Sequence, residues 1–171
     1  MRNYGTVTKL HISPQKEKRE KANKEDKGSP LEGLKGKAWE TNPSITAIDC
    51  VENVGIIGDG NAKGGDRQVT LMDDSVREWI RQQPTKGLCS SRFKANITIK
   101  DLNPLKLYQG ALLKVGNTVL EITFINKKCY GEGCKLYSEK QICPIPSGCY
   151  FAKVVRGGQV KVADQCKIEK G

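Results

Sequence analysis

One histidine, His11, is all the imidazole in this chain of 171 residues. A serine-histidine-acid triad would have to be built on it, and no acid or serine is placed to complete one. His11 therefore reads as a packed or surface residue of the first strand. Aromatic residues are also sparse, at 6%, which leaves few rings on which nucleic-acid bases could stack. No stretch approaches the ~18 uninterrupted apolar residues of a membrane helix. Met1–Ile12 alternates polar and apolar side chains without the hydrophobic segment of a secretory signal. There is no internal repeat. Hydrophobic residues make up 37% of the chain and the mean hydropathy is −0.54. At this length roughly two thirds of the surface of the unfolded chain can be buried.

Present in quantity are basic residues, glycine and cysteine. The net charge of +10 attracts polyanions, phosphates and anionic small molecules. It is spread out: residues 1–40 carry ten Lys/Arg and six Asp/Glu, and residues 41–171 carry nineteen and thirteen. Interleaved acids and few aromatics argue against nucleic acid as the partner. The 18 Gly and 7 Pro favour short strands and turns over a helix bundle. Seven cysteines, an odd number without an export signal, point to free thiols, a metal site or catalytic sulfur in a reducing cytosol.

Gly5–Ile12 reads as a first strand with Val7 and Leu10 turned inward. Ser13–Lys37 is almost entirely Lys, Glu, Asn, Gly and Pro, a charged insertion; a helix over Lys16–Lys27 would have no apolar stripe to pack. Ser44–Val51 and Arg67–Met72 read as strands around a glycine-rich loop at Gly55–Asp66. Asp73 reads as the N-cap of a helix whose apolar face is Val76, Trp79 and Ile80, and which ends near Gln83 before Pro84. Gly110–Val115 and Thr118–Ile125 form a hairpin about Gly116-Asn117, with Leu120, Ile122 and Phe124 on one face. Tyr150–Val155 and Gln159–Ala163 read as a second hairpin turned by Arg156-Gly157-Gly158. The expected fold is mainly β, a small closed or nearly closed barrel with one or two short helices, in one domain over residues 1–171.

Three segments carry candidate chemistry. The loop GIIGDGNAKGGD lacks the βαβ context of a dinucleotide fingerprint and the Lys and Ser/Thr of a phosphate-binding loop. Its backbone can still approach an anion, with Arg67 as a fork-shaped donor. GLCSSRFKANITI brings Ser90, Ser91, Arg92 and Asn96 close in sequence. Cys129 follows the strand ending at Ile125, directly after Lys127 and Lys128, cations that favour thiolate over thiol. Cys134, Cys143 and Cys149 follow it. The spacing leaves four readings open: a zinc site, a redox or disulfide pair, one functional thiolate, or inert cysteines. Cys50, Cys89 and Cys166 read as bystanders.

The runs GIIGDGNAKGGDRQVTLM, SSRFKANITI, LKVGNTVLEIT, KKC and VVRGGQVKVAD, in that order, resemble the MOSC domain, the C-terminal domain of molybdenum cofactor sulfurases. The likeness is to the small stand-alone bacterial type and spans about Gly5 to Asp164, interrupted by the insertion. It implies a β-barrel and a cysteine that carries sulfur or ligates molybdenum, and Cys129 stands at that place. Gly58, Asp59, Arg67 and Gln68 match the family's loop-and-strand motif. Arg92 and Asn96 match positions before and within its "ENIT"-like segment, where Ala95 replaces an acid. Asn61 and Asp66 stand where family members often carry His, which implies a changed or weakened activity.

The resemblance thus implies a cytoplasmic protein that binds molybdenum cofactor or carries sulfur to it through Cys129, as catalytic residue and metal ligand. Gly58, Asp59, Arg67, Gln68, Arg92 and Asn96 would bind molybdopterin or another anionic small molecule. A cysteine desulfurase would supply the sulfur. In the alternative in which molybdenum reduces N-hydroxylated compounds, an electron-donor protein is required, since no flavin, haem or iron–sulfur motif is present. The competing reading is a zinc-binding module built on Cys129, Cys134, Cys143 and Cys149.

Overall fold

The computed structural model describes residues 4–14 and 45–169. The charged segment Ser13–Lys37 lies, beyond Pro14, outside the described residues. Seven strands close a barrel in the order β1, β10, β6, β7, β8, β4, β5. These are β1 (Gly5–Leu10), β4 (Val69–Asp73), β5 (Ile97–Lys100), β6 (Leu112–Val115), β7 (Thr118–Ile125), β8 (Cys149–Arg156) and β10 (Gln165–Ile168). Neighbours pair antiparallel except β4 with β5, which run parallel. A parallel pair needs a crossover. Here the crossover carries two helices, α1 (Asp74–Gln82) and α2 (Leu88–Arg92). A third, α3 (Lys135–Ser138), lies between β7 and β8. No helix among the described residues is long and apolar enough to cross a membrane.

The barrel interior follows from alternation. Val7, Leu71, Ile97, Ile99, Leu113, Val115, Leu120, Ile122, Ala152 and Val154 are buried together in one cluster. Gly5 belongs here for space: a Cβ would come 2.7 Å from Ile99 and 2.8 Å from the Lys100 carbonyl. Asp73 caps α1 by accepting the Ser75 N–H at 2.9 Å; its other oxygen accepts the Asn103 N–H at 2.7 Å, tying the helix start to the turn after β5. The hairpin at Gly116-Asn117 forms as expected, with Gly116 at φ 56°.

Two expectations fail because of contacts between strands distant in sequence. Phe124 does not continue the inward face of Leu120 and Ile122, because the β7–β8 register shifts between Ile122 and Phe124 and carries the ring to the surface. The second hairpin does not form. After β8 the chain leaves the barrel as β9 (Gly158–Lys161), which pairs with β2 (Ala47–Val51) in a separate sheet that also contains β3 (Gly55–Ile56). Gly157 and Gly158 permit this crossing, since a Cβ on either would collide with the Cys50 or the Asn117 carbonyl.

β4 and β7 finish, and β8 begins, at one end of the barrel: Ile125 faces Tyr150 and Met72 faces Cys149. Beneath that end a second apolar cluster joins Met72, Val76, Ala95, Ile145 and Cys149, with Cys89 and Cys143 packed on it. The β7–β8 connection, residues 126–148, and the α2 segment meet above this cluster.

Candidate functional site

A cavity of about 180 Å3 opens where these segments meet. Its walls include Cys89, Cys129, Cys134 and Cys143, four of the seven cysteines, together with Lys127, Lys128, Tyr130, Tyr137 and Leu136. β7 delivers Lys127 and Lys128 to the mouth, and Cys129 follows on the exposed loop. Lys127 is anchored at its backbone, where its N–H donates to the Pro146 carbonyl at 2.8 Å. Its ammonium reaches Cys89 Sγ at 3.3 Å and lies over the Phe93 and Tyr130 rings. Lys128 lies over the Tyr130 ring at 5.3 Å. Lys127 thus contacts a thiol from another wall of the cavity, Cys89. Cys89, expected to be a bystander, is a wall residue.

Cys134 occupies the turn before α3. The Leu88 N–H donates to its Sγ at 3.5 Å. That contact, with the N–H groups of Tyr137 and Leu136, draws the Cys134 thiol below its ordinary range. Burial pushes the Cys143 thiol up, and the neighbouring sulfurs of Cys129, Cys89 and Cys134 add to this. Cys149 belongs elsewhere: fully buried under the cavity, it is pushed up to about 12 by desolvation. Cys129, Cys134, Cys143 and Cys149 do not converge on a zinc site, because Cys149 faces the apolar cluster. Among the described residues no three His, Cys, Asp or Glu are placed to hold a metal ion.

The remaining sequence-derived candidates divide in two. Asp59, Gln68 and Asn96 are buried and spend their polar atoms on the fold. Asp59 accepts from the Ser13 N–H at 2.8 Å, the Asn61 N–H at 2.7 Å and Asn96 Nδ2 at 2.8 Å. Asn96 also donates to the His11 carbonyl at 3.1 Å and accepts the Thr70 N–H at 3.0 Å. Gln68 bridges the Gly65 carbonyl at 2.8 Å and the Val154 N–H at 3.0 Å. Together these bonds clasp the glycine-rich loop to the barrel. Gly58, Arg67 and Arg92 are exposed. Gly58 takes φ +81°, which suits glycine, with open space where a Cβ would stand. The Arg67 guanidinium lies 4.7 Å from the centroids of both Phe124 and Phe151, a cross-strand pair, and so covers both rings. Arg92 ends α2, three residues from Cys89, hence on the same helical face. None of these six lines the thiol cavity. Asn61 and Asp66 are exposed on the clasped loop, where Asp66 contributes its carbonyl as acceptor to Thr123.

Residues 57–167 match the family model of the MOSC domain. No curated protein matches the chain in sequence. Among solved structures, the YuaD protein from Bacillus subtilis superposes with a TM-score of 0.61 at 16% identity, covering 95% of this chain and 94% of that one. A crystal structure of a hypothetical protein gives 0.50 at 17% identity over 75% of this chain; the chain spans 64% of that protein's length. YiiM from Escherichia coli gives 0.48 at 17% identity, covering 77% of this chain and 66% of its own.

Proposed function

The chain belongs to the MOSC domain family, and from that premise we propose that it handles sulfur for the molybdenum cofactor, with Cys129 as the working thiol. The observation that carries this is the cavity of about 180 Å3 whose wall brings Cys129 together with three further thiols and Lys127. Soft thiolate donors suit molybdenum and sulfane sulfur alike. The size favours sulfur handling over burial of a whole cofactor, since pockets that enclose such ligands run to about 300–1,000 Å3. When bound, the cofactor supplies a soft metal and an anionic phosphate. Cys129 offers it sulfur or ligation from the loop, Lys127 and Lys128 supply positive charge at the mouth, and Arg67 and Arg92 are exposed donors for anionic groups. Asp59, Gln68 and Asn96 act through the loop they hold and therefore serve as positioning residues. The +10 charge favours capture of an anionic ligand.

The sulfur step balances without an oxidant. The Cys129 thiol gives up its proton as its sulfur attacks the terminal sulfur of a donor persulfide, the donor's sulfur–sulfur bond breaks, and the donor leaves as a thiol carrying that proton. A cysteine desulfurase is the donor class that fits. The test is purification from cofactor-making cells, wild type beside Cys129→Ala, with bound molybdenum, pterin and desulfurase-dependent persulfide measured on both. Wild type should carry persulfide or cofactor and the variant neither. Wild type carrying none of the three would overturn the proposal.

A further inference from the structure

The thiol cavity adjoins a second, open groove of about 670 Å3. The two share Tyr137 and Gln141, and Gly131–Gly133, Ser138 and Lys140 complete the groove. Gly131 is required at the junction: a Cβ there would stand 2.7 Å from Tyr137 Cδ2 and 2.8 Å from its Cγ, so the ring packs directly on the backbone. Gly133 takes φ +78° with open space where a Cβ would stand, which leaves its backbone open to a ligand. Two exposed side chains of opposite charge line the groove, Glu132 from the loop and Lys140 from the end of α3. Among the described residues neither takes part in an ion pair. Lys140 is also strained where it stands. It holds φ 55°, its N–H donating to the Tyr137 carbonyl at 3.0 Å and the next N–H, of Gln141, to the Leu136 carbonyl at 2.9 Å. Helices that end in this pattern ordinarily place glycine there, because a side chain crowds the left-handed backbone. A lysine held against that strain points to a use for its charge.

We propose that the groove binds the zwitterionic amino-acid head of a low-molecular-weight persulfide, with its ammonium on Glu132 and its carboxylate on Lys140, and that this persulfide gives its outer sulfur to Cys129. The proposal rests on the sulfur-handling reading and names a substrate class for it, a small donor beside the protein one. A groove that offers one carboxylate, one ammonium, a hydroxyl and a carboxamide matches a zwitterion better than a simple anion. Its volume lies in the range of about 300–1,000 Å3 usual for small ligands. Cys129 stands two residues before Gly131 and lines the adjoining cavity, so a head held in the groove leaves its sulfur directed past Tyr137 to the thiol. In the step, a bond forms between Cys129 Sγ and the outer sulfur of the donor, and the donor's sulfur–sulfur bond breaks. The Cys129 proton leaves on the donor, now a thiol. One thiol and one persulfide enter and leave, so nothing is oxidised or reduced overall. Cysteine persulfide and glutathione persulfide carry the same head and are the two sources of this chemistry.

The experiment follows initial rates of persulfide formation on Cys129 of the full chain, by alkylation and peptide mass mapping, against donor concentration. The donors are cysteine persulfide, glutathione persulfide, cysteamine persulfide, which lacks the carboxylate, and inorganic polysulfide, which lacks the head. Wild type is compared with Glu132→Gln and Lys140→Gly; the latter removes the charge and places at φ 55° the residue that suits it, so folding is preserved. Transfer to wild type should saturate with cysteine persulfide or glutathione persulfide, and the lower half-saturating concentration identifies the source. Lys140→Gly and Glu132→Gln should each raise that concentration about fivefold, the weight of one exposed ion pair, with the maximal rate unchanged. With cysteamine persulfide, Lys140→Gly should have no effect, since the carboxylate it would meet is already absent. Sulfur reaching Cys129 from polysulfide, but from the amino-acid persulfides without saturation or equally in both variants, would overturn this inference and leave the Cys129 reading standing. Sulfur reaching Cys129 from none of the donors would overturn both.

Discussion

Replacing Asp59 by Ala tests whether the loop acid binds ligand or builds the site. Its carboxylate accepts three N–H groups, and two of the donors, Ser13 N and Asn96 Nδ2, belong to buried residues. The third donor belongs to exposed Asn61, whose amide water can satisfy. Counting only the buried pair, at about 1.5 kcal/mol for each charge-assisted bond, the expected loss is about 3 kcal/mol. That is a large fraction of the stability of an ordinary domain. For a chain of 171 residues, it corresponds to a fall in Tm of about 6–12 °C. Asp59→Asn keeps the volume but turns an amide N–H toward a donor, so it should recover only part of the loss. Urea unfolding at neutral pH reads the change directly, with the slope unaltered. A loss below about 1 kcal/mol would refute the clasp. So would a drop in bound molybdenum or persulfide with stability unchanged, because that result would make Asp59 a ligand contact.

Burial pushes Cys149 up to about 12 and Cys50 and Cys166 up to about 11, against an ordinary 9.0. Below pH 9 these thiols are protonated in both folded and unfolded chains and stability is intact. Above it the unfolded chain releases its protons first, so stability falls by up to about 1.4 kcal/mol per pH unit for each thiol. Urea midpoints that stay level from about pH 8 to about pH 10 would contradict this. Arg67→Ala removes a guanidinium that lies over both Phe124 and Phe151. At about 0.5–1 kcal/mol per exposed ring contact, it should cost about 1–2 kcal/mol, and Arg67→Lys should restore little of this because ammonium does not stack. Thermal unfolding of the two variants against wild type reads the difference, and a fully stable Arg67→Lys would show that the stacking contributes nothing.

Local chemistry was legible in the sequence where its cause was local. Asp73, two residues before Ser75, announces the start of α1, and Pro84 sets its end. Gly116-Asn117 announces the β6–β7 hairpin. Alternation in Thr118–Ile125 announces a barrel strand, but only as far as the register shift before Phe124, which depends on β8 across the sheet. The false second hairpin had correct turn residues; β9 instead pairs with β2, a choice decided by tertiary contacts of Gly157 and Gly158. Cys89 was missed for the same reason. Its lysine partner lies 38 positions away, and its presence inside the GLCSSRFKANITI segment was the only local signal. The roles of Asp59 and Asn96 were likewise hidden, since a motif match gives no indication that a carboxylate and an amide 37 positions apart are bonded to each other.

The central claim is that Cys129 passes sulfur to the molybdenum cofactor. Its most direct test is a single-turnover transfer: protein loaded with isotopically labelled sulfur is mixed with isolated cofactor, and label in the cofactor fraction is followed for wild type and Cys129→Ala. The account predicts that label reaches the cofactor from wild type and not from the variant. Equal transfer from both proteins, or none from loaded wild type, would contradict it.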